Sequence, residues 1–160
     1  MRFDDNKKVS RVLIAAGVLA YAVWAFLFAF YVPQVARALS AWAAASGREG
    51  MIFAVLLGLA EAGGIPLAVA IGFYIAICRR IGDGRSFCRE NVRDLNRIAV
   101  LLLCSAAFFF LIPLFSGREK TSILIAVIGL AVAAVSVLAW ALGKLVKHAV
   151  VLKEENDLTI

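Results

Sequence analysis

Four stretches of this chain, 12–33, 51–78, 98–115 and 123–143, hold between them a single Asp, Glu, Lys, Arg or His, which is Glu61. That fact constrains the fold more than any other. A helix rises about 1.5 Å per residue, so an apolar run of about 18 residues or more bridges the roughly 30 Å hydrocarbon core of a bilayer. A backbone in lipid must satisfy its own hydrogen bonds, which leaves helices or closed barrels. Barrel strands alternate polar and apolar residues over about ten positions, and these runs do not. The expectation is an all-α integral membrane protein, a four-helix bundle forming one domain over 1–160, with a connector at 79–97 and a tail at 144–160. Composition agrees: 63% of the residues are hydrophobic, against about 45–50% in soluble domains.

Lys and Arg divide unevenly about the four runs. Thirteen of the seventeen fall in the N-terminal segment, the connector and the tail, six of them in 79–97 alone. Arg37, Arg48, Arg118 and Lys120 are the other four. Basic residues collect on the cytoplasmic side, so both termini and the connector are expected there, in a bacterial cytoplasmic membrane. Ala36-Arg37-Ala38 resembles a signal cleavage site, but the preceding run exceeds the about 7–15 residues of a signal core; an uncleaved anchor is expected. The formal charge of +6 suits anionic headgroups, and without a basic stripe interleaved with aromatics no direct nucleic-acid role is read.

Catalytic chemistry has little to work with. The three cysteines form no CxxC pair, and His148 is the one histidine, which argues against a metal site built from one subunit. Neither a nucleophile with a paired base nor a phosphate loop is found. No enzyme, cofactor or metal is expected.

Inside the runs, Glu61 stands out, since an intramembrane carboxyl is costly and usually functional. At about 100° per residue, Ala54, Gly58, Ala68 and Gly72 share its face and Gly64 lies beside it. Small residues permit close approach of helices, so this face is expected to pack inside the protein near mid-bilayer. Tyr21, Trp24, Ser105 and Ser136 are its candidate hydrogen-bond partners. Pro66 removes a backbone donor and weakens the turn after Glu61. Three roles are open: a structural acid between helices, a proton- or cation-linked site, or a polar group at a homodimer face. A second small-residue seam, Ala126, Gly129, Ala133, Ser136 and Trp140, is expected to meet the Glu61 stripe. Pro33 and Pro113 are expected to mark helix ends.

In the connector, a turn at Gly82-Asp83-Gly84 should lead into helix near Ser86 to Cys88. Phase then separates an apolar side, Phe87, Leu95 and Ile98 with Asn91 among them, from a basic side, Arg89, Arg93 and Arg97. The basic side suits a lipid-headgroup anchor or a docking surface. Asn91 on an apolar face requires hydrogen-bond partners, from a chain terminus or nearby backbone. Glu90 with Arg93, and Asp94 with Arg97, are spaced for weak surface pairs. The closing Glu154, Glu155, Asn156, Asp157, Leu158, Thr159 and Ile160 could lie against this basic loop.

Two segments, Gly84-Arg85-Ser86-Phe87 through Glu90-Asn91, Leu95 and Ile98-Ala99, and the closing Leu152 to Ile160, resemble the DUF2975 family of small four-span bacterial membrane proteins of unknown function. Ser86 stands where that family often has proline, and Cys88 where it often has serine. The resemblance implies no catalytic residues. Because members are often encoded beside a small helix-turn-helix regulator, it implies such a transcriptional regulator as a partner.

Overall fold

The computed structural model describes the backbone of residues 3–45, 48–116 and 119–157, with side chains over 7–30, 58–113 and 123–156 and at scattered positions in 33–56. Four helices account for nearly all of it: α1 (Phe3–Ala45), α2 (Arg48–Gly82), α3 (Arg89–Ser116) and α4 (Glu119–Asp157). Each contains a stretch long and apolar enough to cross a membrane. The apolar runs grow into helices well beyond the hydrocarbon thickness: the 43 residues of α1 extend about 65 Å. Much of the expected connector and tail is therefore helical. Pro33 lies well inside α1, whereas Pro113 falls in the last turn of α3.

The helices run alternately up and down, which gathers the start of α1, the α2–α3 connector and the end of α4 at one end of the molecule. We call it the basic end. Among the described residues, α1 packs on α2, α2 on α3 and α3 on α4, and no other pair of helices makes contact. This is an open row, not a closed bundle. The α4 seam accordingly meets α3: a Cβ on Gly129 would lie 3.3 Å from Phe109, and one on Gly143 would lie 3.5 Å from Leu95. Trp140 is exposed, with the Lys144 ammonium 5.2 Å from its ring centre.

Each contact in the row is tied by one serine hydroxyl that donates to a backbone carbonyl of the neighbouring helix. Ser10 donates to Cys78 at 2.6 Å, Ser105 to Gly63, and Ser136 to Ala99 at 2.7 Å. Such bonds are each worth about 0.6 kcal/mol in a membrane, and here they also fix the register of the row. Between them pack Ala70, Ile77, Ile98, Ala99, Leu102 and Ala139, the buried apolar core.

Candidate functional site: a polar knot at the basic end

Helix α2 ends in a Schellman turn, and that turn builds the site. The amide of Gly84 donates to the carbonyl of Ile81 (3.1 Å) and that of Arg85 to the carbonyl of Arg80 (2.9 Å), the paired pattern of this cap. Gly84 takes φ of 75°, a left-handed conformation that side-chain-bearing residues adopt at a cost. The reversal points the carbonyls of Arg85 and Ser86 back towards the first turn of α3. Asn91 meets them there: its Nδ2 donates to Ser86 at 2.9 Å and to Arg85 at 3.2 Å.

The other side of Asn91 closes the circuit. Its Oδ1 accepts from Arg80 Nη1 at 3.2 Å, and the same nitrogen donates to Asp94 Oδ2 at 2.6 Å. Asp94 Oδ1 accepts from Arg97 Nη1 at 3.3 Å, and the Arg97 guanidinium lies 5.3 Å from the Phe73 ring centre. Asn91 and Asp94 are each only 2% exposed. A carboxylate so far from water is sustained by charge pairing and hydrogen bonds together. The knot thus fastens α2 to α3 through two buried polar side chains, Asn91 and Asp94.

A second link brings in the chain's end. Arg89 Nε and Nη2 donate to the two carboxylate oxygens of Glu154 at 3.0 and 2.7 Å, a two-pronged geometry that fixes orientation as well as distance. Helix α4 therefore continues past its apolar run to lie beside the connector. Asp157 is described in its backbone alone, and Leu158, Thr159 and Ile160 lie outside the described residues.

The remaining singled-out residues divide. Leu95 and Ile98 lie on the core side, but Phe87 is 55% exposed because it falls in the non-helical connector, before the helical phase begins. Arg89, Arg93 and Arg97 do not form a uniform basic face. Arg89 is held by Glu154, Arg97 turns to Asp94 and Phe73, and Arg93 stays exposed. Of the two expected surface pairs, Asp94–Arg97 forms and Glu90–Arg93 is not seen among the described residues. Arg80 and Asp94 were missed as a linked pair. Helical phase could have found Asp94, which falls beside Asn91 and Ile98 on the buried side of α3.

At Glu61 the structure departs from expectation. Its Oε2 is shielded yet has no hydrogen-bond partner among the described residues; Ser105 and Ser136 donate instead to backbone carbonyls. The contact glycines of α2 are Gly63, facing Phe108 of α3, and Gly64 and Gly82, facing Trp24 and Ser10 of α1; around Gly58 and Gly72 there is open space. The buried side of α2 includes Ala70 and Ile77, opposite the small-residue stripe. Among the described residues, Gly58 and Gly72 of that stripe have no neighbour from another helix. Pro66 lies inside α2, and Ser105 takes the carbonyl of Gly63 three residues before it. Measured from Arg80, Glu61 lies about 28 Å along the helix, away from the basic end.

Among the described residues no three His, Cys, Asp or Glu side chains come together to hold a metal ion. Four antiparallel apolar helices fastened by polar side chains at one end describe a multi-pass membrane protein. The family model described as protein of unknown function (DUF2975) matches residues 10–160, and the chain belongs to that family. No curated protein and no solved structure matches the chain.

Proposed function

We propose that this is a non-enzymatic regulatory or adaptor protein of the bacterial cytoplasmic membrane, whose basic end faces the cytoplasm and holds a cytosolic partner. The observation that carries this reading is the joining of the connector to α4 through Arg89 and Glu154, on a base fixed by Arg80, Asn91 and Asp94. Two segments distant in sequence thereby form one ordered surface, ringed by exposed Arg79, Arg85, Arg93 and Lys153. The excess of basic residues at this end supports the orientation. Following the family resemblance, a small helix-turn-helix regulator is the partner to test first. Protein purified with its partner from membranes should lose it on deletion of 153–160 and on Glu154→Arg, and regain it when Arg89→Glu restores the pair. Equal capture by all forms ends the proposal.

Glu61 favours a second reading, a small proton- or cation-linked transporter that acts as a homodimer. Its unpartnered oxygen and the open space at Gly58 and Gly72 support it. Reconstituted Glu61→Gln protein should then lose proton- or cation-linked flux while keeping its fold; absence of flux in the unaltered protein sinks this reading. A lipid-binding scaffold using Arg89, Arg93 and Arg97 has weaker support, since two of the three are engaged within the chain.

A further inference from the structure

Helix α1 turns Ser10, Gly17 and Trp24 towards α2, one residue every two turns. More than a third of a turn round the helix, Ile14, Ala15, Val18, Leu19 and Ala22 line a shallow, open groove with Arg11 at its head. The two alanines make a floor between branched walls. Lys7 and Lys8 fall by phase on either side of Arg11, one turn nearer the terminus, and all three cations are exposed. No other helix of the row covers this face among the described residues.

The hydrogen bond from Ser10 to Cys78 sets the depth of Arg11 beside the turn that carries Arg80, the level at which headgroups meet the basic end. An apolar face alone would accept any acyl chain. Three cations at one end of it select a negatively charged headgroup, each adding about 1 kcal/mol near an anionic surface. A transmembrane helix of another protein could cover the alanines but would leave those cations without counter-charge. We propose that α1 carries a specific site for one anionic phospholipid, its phosphate held by Arg11 with Lys7 and Lys8 and one acyl chain lying along Ile14 to Ala22. This site is separate from the connector surface and does not depend on what that surface holds.

Native mass spectrometry of the full-length protein, titrated with phosphatidylglycerol or phosphatidylcholine of identical chains, tests it. The unaltered protein should retain one phosphatidylglycerol in clear preference to phosphatidylcholine. Arg11→Gln should lower that preference about fivefold and the pair Lys7→Gln with Arg11→Gln about 30-fold, both with unchanged retention of phosphatidylcholine. Ala15→Leu with Ala22→Leu, which fills the groove, should weaken retention of both lipids, whereas Arg93→Gln should alter neither. Melting curves identify any variant that fails to fold, and Arg11→Gln, at an exposed site, then decides alone. Preference that survives Arg11→Gln, or that falls equally with Arg93→Gln, overturns the proposal.

Discussion

The knot at the basic end and the surroundings of Glu61 are both polar sites on α2, yet they are built on opposite terms. Around Asn91 and Asp94 each side-chain oxygen has a donor and the Asn91 amide has two acceptors. At Glu61 one oxygen is shielded and unpaired beside glycines that face open space. Polar groups that are buried and satisfied lock an arrangement. One left unsatisfied, beside glycines that meet no described neighbour, does not lock its surroundings in that way. The contrast separates a site whose polar groups are all paired from one in which a carboxyl oxygen is not.

Several measurements would break or sharpen that contrast. The largest effect is expected from Asp94→Ala, which strands Arg80 and Arg97; a loss of about 3 kcal/mol should appear as reduced thermal stability in detergent. Asn91→Ala leaves the carbonyls of Arg85 and Ser86 without their donor and should cost about 2 kcal/mol, with faster hydrogen exchange confined to the connector. Gly63→Ala, whose Cβ would lie 3.1 Å from that of Phe108, should destabilise by about 1 kcal/mol. Gly72→Ala should do nothing to the monomer, so a Gly72→Ala protein that melts early would show the stripe is not open. Ser105→Ala should cost only about 0.6 kcal/mol. Least of all, Glu61→Gln should leave the melting temperature of the monomer nearly unchanged, since no hydrogen bond from the described residues reaches its Oε2; a large loss would place Glu61 with the knot.

Much of the architecture was legible because lipid imposes one rule on every residue of a span: the backbone must close on itself, so an apolar run is a helix. The demand of Asn91 for partners was equally legible, because an amide on an apolar face cannot go unpaired. What phase alone could not supply was which helix lies beside which. Small residues at Gly58 and Gly72 indicate that a face can be approached, not that this chain approaches it, and the order of the row instead follows Gly63, Gly64 and the three serines. Asp94 was hidden for a different reason. Its spacing to Arg97 is that of a surface pair, and its closer partner, Arg80, comes from another helix.

The row has a consequence for how the chain reaches its fold. Each described helix touches only its neighbours in sequence, so every interface is a hairpin that can close as soon as its second helix enters the bilayer. The α1–α2 pair is complete with Ser10 on Cys78 before α3 exists, and the knot forms within the next short connector. Glu154, close to the end of the chain, meets Arg89 last. Assembly can follow synthesis step by step, and the Arg89–Glu154 link can close only after α4 is made.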